Sequence, residues 1–218
     1  MSIAANLAAI RAELPSHATL VAVSKTRPAE AVREALSAGQ VHFGENYAQE
    51  LRDKAEQLGQ GPIWHFIGSL QRNKVKYVVG RATLVHDVDS LALAEEIGKR
   101  SGDRVTGILV GVNMGEAQKS GVAPAAVLDL CKAVVGLPGV ALRGLMTIPP
   151  ATDDPEDAAP YFAELAELAA RGRAAGLPLH ELSMGMSHDW RVAVRHGATW
   201  VRVGTAIFGE RAARVPVS

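Results

Sequence analysis

The chain has 218 residues, 48% hydrophobic and 21% charged, with 23 basic side chains balanced by 23 acidic ones. That length suits one large α/β domain, and zero net charge removes the electrostatic case for nucleic acid or an anionic membrane as partner. A lone cysteine, Cys131, excludes an intrachain disulfide, and with no secretory leader and no bilayer-length apolar stretch the expected compartment is the reducing cytoplasm.

Short apolar runs alternate with amphipathic segments, the pattern of βα units. Ile3, Leu7, Ile10 and Leu14 mark one face of an opening helix. A first strand covers 20–25, and a helix follows from Pro28, tolerated in a first turn, to a stop near Gly39. The strand over 41–45 precedes a helix over 47–58, and the strand over 64–68 precedes one over 71–79. The strand over 84–88 leads into a helix over 90–99 with Ser90 as its cap. After the strand over 107–113 comes a helix over 124–135, in which Cys131 reads as a small buried core residue. The strand over 141–148, a surface loop around 149–155 and a helix carrying Phe162, Leu165 and Leu168 come next. A strand over 181–185, a helix over 189–196 and a strand over 200–204 complete the series.

Eight strands with seven intervening helices and no linker predict one domain over 1–218, an α/β single (β/α)8 TIM barrel. The N-terminal helix would cover the face that lacks a following helix. The rival is an open doubly wound sheet, but its Gly-x-Gly-x-x-Gly turn after the first strand is missing.

A barrel of this kind carries its site where strands deliver their C-terminal ends. Lys25 closes the run Leu20-Val21-Ala22-Val23-Ser24, and strand alternation puts it on one face with Val21 and Val23. At an open strand end such a lysine snorkels to water. Held inside, it favours its neutral, nucleophilic form and can make a Schiff base. Glycines and hydroxyls after the last two strands, in Ser183-Met184-Gly185-Met186-Ser187 and Gly204-Thr205, suit an anion such as a phosphate, although glycines there also serve as turn residues. Arg202 is a charge inside the apolar run Val201-Arg202-Val203, and alternation points it inward with Gly204. Beside a pyridine nitrogen it would donate a hydrogen bond and keep that nitrogen unprotonated; otherwise it would pair with Glu45, Asp87 or Asp89. The histidines form no metal-ligand motif, and His86 with Asp87 and Asp89 is only a weak candidate, so no metal is expected. Ser187, His188 and Asp189 are chain neighbours and cannot adopt a relay geometry.

Several longer motifs carry a resemblance. They are Val23-Ser24-Lys25-Thr26, His42-Phe43-Gly44-Glu45-Asn46-Tyr47, Trp64-His65-Phe66-Ile67-Gly68, Gly144-Leu145-Met146-Thr147-Ile148-Pro149, Leu182-Ser183-Met184-Gly185-Met186-Ser187 and Val201-Arg202-Val203-Gly204-Thr205. Over nearly its whole length the chain resembles the pyridoxal phosphate homeostasis proteins, also called the YggS or proline synthetase co-transcribed family. The resemblance implies a barrel similar to the N-terminal domain of alanine racemase, with pyridoxal 5'-phosphate bound to Lys25 as an aldimine. It implies phosphate contacts from Ser183, Gly204 and Thr205, Arg202 as partner of the pyridine nitrogen, and Asn46 and His65 lining the same mouth. Lys119 also matches a family motif, as a second lysine near the rim. Asp87 departs from the serine expected at its position. The function implied is non-catalytic: carrying and buffering pyridoxal phosphate for apo enzymes, as a monomer. The alternative is a pyridoxal-phosphate-dependent amino-acid racemase, which would need a second base facing Lys25; Tyr47, Tyr77 and Tyr161 are poorly placed for that.

Overall fold

A computed structural model describes residues 2–115 and 120–210. Eight parallel strands close in sequence order: β1 (Thr19–Val23), β2 (His42–Glu45), β3 (Ile63–Phe66), β4 (Ala82–Val88), β5 (Thr106–Val112), β6 (Val140–Thr147), β7 (Glu181–Ser183) and β8 (Trp200–Val203). Closure comes from β1 pairing with β8, with Thr19 opposite Trp200 and Ala22 opposite Val203. The open-sheet rival is thereby excluded.

The helices are α1 (Ile3–Glu13), α2 (Ala29–Ser37), α3 (Ala48–Leu58), α4 (Val75–Val78), α5 (Leu91–Ser101), α6 (Val127–Val134), α7 (Ala159–Ala174), α8 (Trp190–Arg195) and α9 (Thr205–Phe208). Ser2 caps α1 by accepting the Ala5 N–H at 3.2 Å. Gly39, at φ +78°, takes the left-handed conformation that ends α2. Ser90 precedes α5 without capping it; its hydroxyl bonds Asp89 at 3.2 Å instead. The short α9 was not expected, because four residues carry no periodicity. Helix α1 packs against α2 and α9, and Asn6 donates to the Ile207 carbonyl at 2.9 Å, so the N-terminal helix closes the gap beside β8. Among the described residues, no helix is long and apolar enough to cross a membrane.

The larger core lies between strands and helices. Leu20, Ala22, Phe43, Val85, Val88, Ile108, Val110, Val201 and Val203 face outward to meet Leu7, Val32, Leu51, Ile97, Cys131 and Phe162. The barrel interior holds a smaller apolar cluster of Leu84, Leu109 and Met146, with Ile148 and Trp200 against it. Much of the remaining interior is polar, including His65, His86, Ser183 and Arg202, all buried. Polar groups removed from water need partners, and those partners organise the site.

Candidate functional site

A cavity of about 250 Å³ opens at the C-terminal ends of the strands. Its wall includes Val23, Lys25, Arg27 and Asn46 from the β1 and β2 ends, Ile67 and Ile148, Met186, Ser187 and His188 after β7, and Arg202, Gly204 and Thr205 at β8. Residues far apart in the chain meet because parallel strands deliver their ends to one face.

Strand β1 stops at Val23, two residues earlier than alternation suggested, so Lys25 sits on a turn rather than a strand. The next residue, Thr26, has φ +62°, the left-handed region rarely taken by a β-branched residue. Lys25 is half-buried and reaches the cavity from this turn.

Arg202 forms the inner end of the cavity and is 3% exposed. It donates to the Ser183 hydroxyl and to the Thr147 carbonyl, the latter at 3.0 Å, in place of the ion pair considered from sequence. Burial lowers its pKa to about 10, opposed by Asp189 and Asp87, so it remains a cation at neutral pH.

Two expected residues lie elsewhere. Ser183, at the end of β7, is fully buried beneath Arg202 and is absent from the cavity wall. The hydroxyl that stands in the wall after β7 is Ser187, which accepts the Gly204 N–H at 3.2 Å and the Ala206 N–H at 3.5 Å. Its signal was present in the motif Ser183-Met184-Gly185-Met186-Ser187, but only the turn at Gly185 (φ +91°) shows which serine reaches the surface. His65 also does not line the mouth. It projects into the barrel from β3, between His42 and His86, because inward strand positions below the ends face the interior rather than the opening.

The three histidines form a continuous chain. His42 Nδ1 meets His65 Nε2 at 3.0 Å, His65 Nδ1 meets His86 Nε2 at 2.8 Å, and His86 Nδ1 meets Ser183 Oγ at 2.7 Å. Their nitrogens face one another instead of converging, and no group of three or more His, Cys, Asp or Glu among the described residues could hold a metal. Burial lowers the pKa of all three, that of His65 to about 3, with the positive charges of its neighbours adding to the effect. A neutral chain thus buttresses the serine that supports Arg202.

Asp87 is explained by a bulge in β4. Val85 pairs with Ile108 and Val88 with Val110, so three steps on β4 match two on β5. Val85 and Val88 both face the helices, which leaves His86 and the extra residue, Asp87, for the interior. Gly111 makes room: a Cβ there would lie 2.0 Å from Asp87 Oδ1. Asp87 accepts a hydrogen bond from Ser120 at 2.5 Å, and burial raises its pKa. It borders a second cavity of about 180 Å³, which shares Ile148 with the first. Lys119 lies outside the described residues.

Comparison with known proteins agrees with this architecture. The family described as alanine racemase, N-terminal domain, matches residues 1–212. A pyridoxal phosphate homeostasis protein of Aquifex aeolicus is 47% identical over 199 residues, covering 89% of this chain and 87% of the relative. The solved structure of PipY from Synechococcus elongatus with PLP bound superposes with a TM-score of 0.89 at 41% identity, covering 95% of this chain and all of that one. Alanine racemase from Corynebacterium glutamicum shares the fold, with a TM-score of 0.74 at 17% identity over 98% of this chain and 62% of that chain.

Proposed function

Because the chain belongs to the pyridoxal phosphate homeostasis protein family, we propose that it binds and buffers pyridoxal 5'-phosphate at the cavity built around Lys25 and Arg202. The observation that carries this reading is the convergence of an amine, a fixed cation and a cluster of small polar groups on one cavity. When bound, pyridoxal 5'-phosphate supplies an aldehyde that condenses with a primary amine and releases water.

The residues fit such a ligand. Asn46 stands in the wall, and its Oδ1 is buried with no hydrogen-bond partner, so a donor from a ligand would complete it. Ser187, Gly204 and Thr205 offer hydroxyls and a tight backbone approach to a phosphate. A Cβ at Gly204 would come within 3.3 Å of Val23, so a larger residue there would crowd the wall. Arg202 donates from a planar, permanently charged group, and its orientation is set by Ser183 and Thr147. Ser183 and His65 then act behind the wall, holding Arg202 rather than touching the ligand.

The same features favour a carrier over an enzyme. An arginine facing a pyridine nitrogen keeps that nitrogen unprotonated, which weakens the ring as an electron sink. None of Tyr47, Tyr77 and Tyr161 lines the cavity as a base opposite Lys25; the Tyr77 ring lies under Arg52 and Lys76. Delivery to apo enzymes and a monomeric state belong to this reading.

The test is uptake of pyridoxal 5'-phosphate with a visible absorption band, then borohydride reduction and peptide mass spectrometry. Label on Lys25 is expected, and Lys25→Ala should lose the band while retaining weak phosphate-dependent binding. A colourless protein unchanged by the cofactor overturns the proposal. Racemisation of alanine well above the rate with free cofactor would overturn the carrier reading alone.

A further inference from the structure

We propose that Glu45, Glu50 and Lys54 form a charged clamp that sets the turn presenting Lys25, making them positioning residues for its amine. The consequence for the ligand rests on the function proposed above; the consequence for the turn does not.

The clamp begins with Lys54, on the second turn of α3, a lysine only 6% exposed. A buried ammonium needs a partner for each N–H, and Lys54 Nζ has three acceptors. They are the Ser24 carbonyl at 2.6 Å, Glu45 Oε1 at 2.7 Å and Glu50 Oε1 at 2.8 Å. Glu45 Oε1 also accepts the Ser24 hydroxyl at 2.6 Å, and Glu50 Oε1 accepts the Thr26 N–H at 2.6 Å. The residues on either side of Lys25 are therefore both held by side chains from β2 and α3. Ser24 is held by its carbonyl and its hydroxyl, and Thr26 by its amide.

None of the three clamp residues lines the cavity. They act one layer behind it, on a turn closed by the Arg27 N–H to the Ser24 carbonyl at 3.0 Å. The left-handed Thr26 is the part of this turn that a threonine adopts least readily. Backbone of that kind persists only where its surroundings over-determine it. The Glu50 bond to the Thr26 amide supplies that constraint. Burying an ion pair stabilises a fold little relative to apolar packing, so what these charges contribute here is geometry.

Two readouts separate the inference from the function beneath it. The first needs no ligand: amide hydrogen exchange at Thr26 in the full chain. Glu50→Ala should speed that exchange at least 100-fold, and Glu50→Gln, which keeps an acceptor oxygen, should remain near wild type. Glu50→Asp, one methylene shorter, serves if the alanine variant does not fold. The second readout compares two probes. Borohydride trapping of pyridoxal 5'-phosphate on Lys25 should slow at least 10-fold in the alanine or aspartate variant. Affinity for pyridoxine 5'-phosphate, which has no aldehyde, should change less than 3-fold. Unchanged Thr26 exchange overturns the clamp whatever the ligand. Faster exchange with equal losses for both probes makes it a general support of the fold, and overturns its role in placing the amine. If wild-type protein binds neither probe while Thr26 responds as expected, the proposed function falls and the clamp on the turn stands.

Discussion

The histidine chain makes a quantitative prediction through His65→Leu. Folded His65 has its pKa lowered to about 3 from the 6.5 usual for histidine, with burial the leading cause. The unfolded chain therefore takes up a proton first as the pH falls. Stability from keeping this ring neutral is fully present above pH 6.5 and is lost as pH drops from there toward 3. Between pH 7 and pH 5 the loss is roughly 2 kcal/mol, from about 1.4 kcal/mol for each pH unit below the unfolded value. Leucine carries no proton, so the variant escapes that loss. At pH 7 it should be less stable by about 1–3 kcal/mol, because a nitrogen on His42 and another on His86 lose their partner. At pH 5 the difference from wild type should shrink by about 2 kcal/mol. Urea unfolding of both proteins at the two pH values, at one ionic strength, measures the four free energies. Glu45, raised to about 7 by burial against the pull of Lys54, has the opposite sign and gains stability on acidification, but it is common to both proteins and cancels in the difference. An equal cost of substitution at pH 7 and pH 5 would refute a neutral His65.

Other outcomes follow from packing. Cys131 is fully buried on α6, and burial raises its thiol to about 12, so a thiol reagent at pH 8 should label native protein no faster than the protein unfolds. Rapid labelling under native conditions would contradict that position. Gly144→Ala should prevent stable folding or displace β7, because the added Cβ would lie 1.7 Å from the Glu181 carbonyl oxygen, which is backbone and cannot rotate away. Soluble expression with an unchanged unfolding midpoint would count against the β6–β7 register.

Periodicity made the architecture legible. Every expected strand is present, with no end shifted by more than two residues, because an outward row such as Val201 and Val203 declares itself in the chain. The inward charge of Arg202 followed from the same alternation. Ser90 shows the limit: its sequence context matches a cap, yet the neighbouring Asp89 carboxylate takes its hydroxyl. Asp87 shows another. A bulge is a mismatch between two strands, so neither strand's sequence reveals it alone.

With the candidacy of Asn46 implied by the family resemblance, the amino acids alone give the eightfold repeat, the end of the barrel expected to carry the site, and the candidacy of Lys25, Gly204 and Thr205. These rest on local pattern and on the rule that parallel strands deliver their ends together. Tertiary structure decided the rest: that Ser187 rather than Ser183 reaches the cavity wall, that His65 turns inward to join a buried chain, and that Lys54 braces the turn holding Lys25. Each depends on partners 4 to 97 residues away, such as Glu50 for Lys54 and Ser183 for His86. Apart from the helical i,i+4 pair of Glu50 and Lys54, these hydrogen bonds form only once the closed barrel brings separate elements together, and no spacing along the chain specifies them.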